Sequence, residues 1–155
     1  MPTHLQDEIK QTKPFDHAGD EALLSILRTA TVIDHGSNEL LRPFGITTTQ
    51  YNVLRILKGA GARGLCGREV GERLISRVPD VSRLLDRMAE MELVVKERNP
   101  ADRRHVTARI TPKGRRVLTQ ATPVLAKYGR ERTGRLRAEH LKALVEALEA
   151  VREEG

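Results

Sequence analysis

The chain has 155 residues, a length that suits one domain, and its 39% hydrophobic content must build the core from Leu, Val and Ile, because aromatics are 3% and Trp is absent. The single cysteine, Cys66, excludes an intramolecular disulfide and a cysteine-based zinc site, and no apolar run approaches the roughly 20 residues that span a bilayer. The formal charge of +6 favours an anionic partner. With no signal-peptide core around Asp7, Glu8 and Lys10, the expected compartment is the cytoplasm.

Residues 1–19 are polar, carry Pro2 and Pro14, and are expected to form a loose arm. Asp20 is expected to cap a helix running to about Leu41, with Leu23, Leu24, Leu27 and Ala30 on one face. Arg42-Pro43 ends it, since a residue before proline resists the helical region. Thr47-Thr48-Thr49-Gln50 has the spacing of a capping box, and the helix after it should bury Val53, Leu54 and Leu57. Gly59, Gly61 and Gly64 then break the chain. A short helix follows, with Cys66 as a poor cap, Glu69 three residues on, and Val70 and Leu74 facing inward. Ile75 to Val78 reads as a turn. Pro79 suits the first position of the next helix and Asp80 its first turn. Val81, Leu84, Leu85 and Met88 follow the spacing of a buried stripe, which leaves Ser82, Arg83, Asp86 and Arg87 on other faces. Arg83 and Arg87 lie one turn apart and project together.

Leu93 to Arg98 and His105 to Thr111 read as an antiparallel pair, joined by the turn residues Asn99-Pro100-Ala101-Asp102. Thr111-Pro112 starts another helix, which Pro123 is expected to kink or interrupt. The last helix carries Leu141, Leu144, Val145, Leu148 and Val151 on one stripe.

The charge is not spread evenly. Residues 63–116 hold 14 Lys/Arg against 8 Asp/Glu, and the remainder holds 13 of each. One segment therefore carries the whole excess, the footprint of a DNA-binding module. Helix, turn, helix and a basic β-hairpin make a winged helix. These residues resemble the MarR-type transcriptional regulators through Val81-Ser82-Arg83-Leu84-Leu85-Asp86-Arg87-Met88, Leu93-Val94, Asp102-Arg103-Arg104 and Ile110-Thr111-Pro112-Lys113-Gly114. The order of helices on either side also fits, so the likeness covers roughly residues 20 to 152.

The resemblance implies a mainly α fold with a small antiparallel β-wing. It implies a winged helix-turn-helix region over 46–117 and a helical dimerisation region over 20–45 and 118–155. It also implies a homodimer, a recognition helix in the major groove, a wing arginine in the minor groove, and a cleft that takes small aromatic acids or phenols. Glu92 stands where the family usually has glycine, so the exit of the recognition helix is expected to differ in shape.

Candidate DNA contacts are Arg77, Asp80, Ser82, Arg83 and Arg87 around the recognition helix, with Arg98, Arg103 and Arg104 on the wing. Arg104 at the hairpin tip suits the negative potential of a narrow minor groove, and Asp102 can hold its guanidinium through a charge-assisted bond. A solvated, charged face is the plain alternative for each. His35, Phe44 and Tyr51 are candidates for the ligand cleft, with a core role as the alternative. The Leu141–Val151 stripe is the candidate dimer surface, since a short chain has little core left to cover it. Cys66 reads as a small buried residue. His4, His17, His35, His105 and His140 lack metal-ligand spacing. No cofactor, metal or catalytic constellation is expected, and an enzyme ranks last. The reading is a dimeric regulator binding a pseudo-palindromic operator, a repressor relieved by a small molecule. The rival is a winged-helix module that binds protein instead of DNA, which would need an apolar recognition face.

Overall fold

A computed structural model describes residues 4–153 of the protein. Residues 1–3 of the expected arm, Pro2 among them, and residues 154–155 of the last region lie outside the described residues. The rest of the arm is partly ordered. Leu5–Glu8 forms one helical turn (α1) that buries Leu5, and Arg28 pairs with Glu8 at 3.3 Å. Helix α2 (Ala18–Leu41) starts two residues before Asp20, and His17 caps it by accepting the Gly19 N–H on Nδ1 at 2.9 Å. The expected Asp20 cap is therefore wrong; Asp20 sits in the first turn, where the helix dipole favours an acid.

Helix α3 (Thr48–Ala60) opens with the capping box read from the sequence. Thr47 Oγ1 accepts the Gln50 N–H at 3.2 Å, and the Gln50 amide oxygen accepts the Thr47 N–H at 3.0 Å. Its Val53, Leu54 and Leu57 are fully buried and form the centre of the core. Strand β1 (Leu65–Cys66) is two residues long. It pairs Leu65 with Ala108 and Cys66 with Thr107, giving a three-stranded antiparallel sheet in the order β1-β3-β2. Gly64 makes this approach feasible: its φ is +66°, and a Cβ there would lie 2.6 Å from the Ala108 carbonyl oxygen.

Helix α4 (Gly67–Arg73) begins after Cys66, and the Glu69 carboxylate accepts the Cys66 N–H at 3.0 Å. That bond, with the charges of Arg63 and Arg73, holds the Glu69 carboxyl below the usual carboxylate range. Helix α5 (Val81–Glu90) buries Leu85 and Met88, while Val81 and Leu84 are partly buried, as the stripe required. Strands β2 (Val94–Arg98) and β3 (Val106–Ile110) form the wing in the register Val94↔Ile110 through Arg98↔Val106.

Two expectations fail between α5 and the end of the chain. Glu92 does not reshape the helix exit. It takes the left-handed conformation itself, at φ +60°. The Glu92 and Leu93 N–H groups bond back to Ala89 and Met88 carbonyls, as in a glycine-terminated helix. Pro123 does not interrupt α6 (Pro112–Thr133), which continues past it as one helix. The carbonyl it leaves without a donor belongs to Thr119, an exposed residue, so water can bond it. Helix α7 (Ala138–Arg152) buries no residue within the chain.

Candidate nucleic-acid interface

The candidate surface starts from how α5 begins. The expected order placed Pro79 and Asp80 inside the helix; instead both precede it. Asp80 is the cap, and its Oδ1 accepts the Arg83 N–H at 2.9 Å. That bond orients the first turn, which carries Ser82 and Arg83 on the exposed side. Arg87 is exposed one turn later, and Arg77 is exposed in the preceding turn. Among the described residues, Arg77, Arg83 and Arg87 have no ion-pair partner, so their guanidinium groups are available to a ligand. Arg83, Asp86, Arg87, Glu90 and Met91 line a shared depression on this face. It is polar and charged.

The wing stands beside it. Its tip is closed by Asn99 N–H to the His105 carbonyl at 2.9 Å and by His105 N–H to the Asp102 carbonyl at 3.0 Å. The Asn99 side chain takes the Ala101 N–H at 2.9 Å. Asp102 does more than expected. Its carboxylate accepts the backbone N–H of Arg104 at 3.0 Å and also forms a long ion pair with the guanidinium, Nε lying 3.7 Å away. Asp102 therefore fixes the backbone of the tip, and the Arg104 side chain stays 95% exposed. Arg98 and Arg103 are also exposed, without ion-pair partners among the described residues. The structure thus gathers these cations along one helix, the turn before it and one hairpin.

Two features of this region escaped the sequence reading. Arg109 on β3 pairs with Glu97 on β2 and donates to the Ala62 carbonyl at 3.4 Å, locking the hairpin to the chain before β1. Lys96 on β2 reaches across to Asp86 on α5. Strand alternation was the only signal for either, and it does not name a partner.

The second candidate site is an open cleft of about 980 Å³ between α2, α3 and the segment after α4. Its walls include Ala30, Ile33, Ile56, Leu74 and Ile75, with Arg55 and Asp34 as charged members. Tyr51 lines it, as expected, although its hydroxyl is shared with Thr122 Oγ1 at 3.0 Å. His35 and Phe44 do not line it. The cleft takes α2 residues 30, 31, 33, 34 and 37, and His35 falls past the edge of that face, about 40° beyond Thr31. Phe44 packs on the core instead. Asp34 is engaged: it accepts the Thr48 hydroxyl at 2.7 Å and an Asn38 amide hydrogen bond at 3.1 Å.

Among the described residues no group of His, Cys, Asp and Glu side chains is placed to hold a metal, and no helix is long and apolar enough to cross a membrane. The stripe of α7 faces outward: Leu144 is 47%, Val145 54% and Val151 53% exposed, with Leu141 and Leu148 half-buried. On α2, Leu23, Leu24 and Leu27 are also exposed.

Residues 44–105 match the family model described as MarR family. The HTH-type transcriptional regulator YsmB of Bacillus subtilis is 28% identical over 120 residues, spanning 77% of this chain and 80% of that protein. The crystal structure of a MarR transcription factor from Planctomyces limnophilus superposes with a TM-score of 0.68 at 29% identity, covering 88% of this chain and 99% of that one. The fold is also that of MepR in the crystal structure of an S. aureus MepR–DNA complex. There the TM-score is 0.75 at 19% identity, over 89% of this chain and 97% of that one.

Proposed function

Because the chain belongs to the MarR family of winged helix-turn-helix transcriptional regulators, we propose that it works in the cytoplasm as a homodimeric repressor that a small aromatic or phenolic molecule releases from a pseudo-palindromic operator. The observation that carries the reading is the pairing of two exposed basic elements, the Ser82–Arg83–Arg87 face of α5 and the Arg104 tip of the wing. In this reading α5 enters the major groove, where Arg83 reads a guanine edge and Arg77 and Arg87 hold register. Asp80 contributes by starting the helix. Arg104 enters the adjacent minor groove, and Arg98 and Arg103 hold phosphate. A rival protein-binding role finds no support on the α5 face, which is polar.

The cleft is the proposed effector site. One wall is α3, and another is the Leu74–Ser76 segment that leads into α5. A ligand lowers operator affinity only if it binds the DNA-incompetent arrangement more tightly. Here occupancy would do so by moving that segment and α5 with it.

The experiment is selection of duplexes by the purified protein from a random pool, followed by footprinting. Recovery of a two-fold-related sequence with half-site centres about 10 bp apart is expected. Failure to enrich any sequence over the starting pool would sink the reading.

A further inference from the structure

Asp86 has the wrong sign for a surface that meets a polyanion. Arg87 follows it directly and Arg83 lies one turn before, yet neither takes its carboxylate. Asp86 pairs instead with Lys96, on the wing strand β2. Lys96 is also unusual, since only 23% of its side chain is exposed, the least of any paired lysine or arginine among the described residues. Its backbone sits opposite buried Ala108 in the sheet. A cation held this way is less screened and less mobile than a surface lysine. Besides packing, among the described residues this pair is what joins the side chains of α5 to those of β2.

We infer that Asp86 and Lys96 are positioning residues that fix the wing against α5, so that both elements meet DNA at one spacing. The inference rests on the DNA-binding reading above. It makes an acidic residue necessary for DNA recognition, opposite to what its charge alone implies.

The test uses full-length protein and an operator that the parent selects from a random duplex pool. Asp86→Asn, Lys96→Met and the double variant are titrated on that operator and on random-sequence duplex at fixed salt. Each single variant should lose about tenfold on the operator, the scale of one good contact. The double should lose no more than either single, because all three break the same tie. On random duplex Asp86→Asn should match or exceed the parent, since a negative charge has gone. Lys96→Arg keeps the pair and should bind as the parent does. If Lys96→Met fails to fold, exposed Asp86→Asn carries the test alone. Tighter operator binding by Asp86→Asn would overturn the inference, because Asp86 would then only repel. Losses that add in the double variant would overturn it too, because Lys96 would then touch phosphate itself. A parent that selects no sequence would remove the DNA reading first, and this inference with it.

Discussion

Arg104 and Arg83 are both exposed arginines, but different neighbours prepare them. Asp102 orders the backbone under Arg104 and pairs only loosely with its exposed guanidinium, which can follow the shape of a groove. Arg104→Ala should therefore weaken binding at all sequences alike, by about 1–3 kcal/mol. A gel-shift titration at fixed salt with unchanged affinity would refute this. Arg83 sits in a first turn that Asp80 holds in place. Its loss should instead relax preference at particular base pairs. A base-substitution series checks it; a uniform loss at every position would assign Arg83 to phosphate. Glu92 shows a cost borne by one residue. A left-handed conformation costs a non-glycine residue roughly 1–2 kcal/mol. The surroundings offset this, since Thr111 Oγ1 donates to the Glu92 carbonyl at 2.6 Å and Lys113 donates to the Met91 carbonyl at 3.0 Å. Glu92→Gly should relieve the strain yet give a more flexible unfolded chain, for a net gain of about 0.5 kcal/mol. Denaturant unfolding that shows a loss would contradict this account.

Among the elements, the stripe of α5, the capping box of α3 and the hairpin were legible because each depends on local spacing. What the sequence hid depends on distant partners. Strand β1 is too short to show a period and exists because β3 lies beside it. The cap of α2 fell to His17, whose ring nitrogen reached the Gly19 N–H before Asp20 could serve. Arg83, Arg87 and Arg104 were legible as exposed cations, whereas the Asp86–Lys96 pair was not, because helix and strand periods are silent on which side chains meet. His35 was misplaced because it falls past the edge of the α2 face that lines the cleft, and Phe44, beyond the end of α2, because it packs on the core. Gly114 belongs to both groups. Its place after Thr111-Pro112-Lys113 was visible, but its reason is tertiary. A Cβ there would lie 2.3 Å from the Leu93 carbonyl oxygen and 2.9 Å from Ile110. Gly114→Ala should therefore destabilise the protein by about 1–3 kcal/mol, as overpacking does, with the start of α6 pushed off the sheet. A melting temperature equal to the parent's would rule this out.

For the whole molecule, the outward apolar residues of α7 and α2 bear on assembly. A helix with no buried residue has little within its own chain to hold it. A second copy related by a two-fold axis would cover both faces at once. Removing the chain after Arg137 should then give a monomer that no longer binds both half-sites cooperatively, although the 46–117 region remains. Light scattering is the check: a monomeric full-length protein, or a truncated form that binds the operator as well as the parent, would refute the proposal. The unbroken course of α6 adds a mechanical consequence. Its 22 residues make a rod about 33 Å long, attached to the wing strand β3 at one end and leading into α7 at the other. Used as a lever pivoted near α7, a tilt of about 10° sweeps the wing end through about 6 Å, the width of the minor groove that would receive Arg104. Unseating the wing therefore needs no melting and no broken helix, only a small rotation at the end farthest from it.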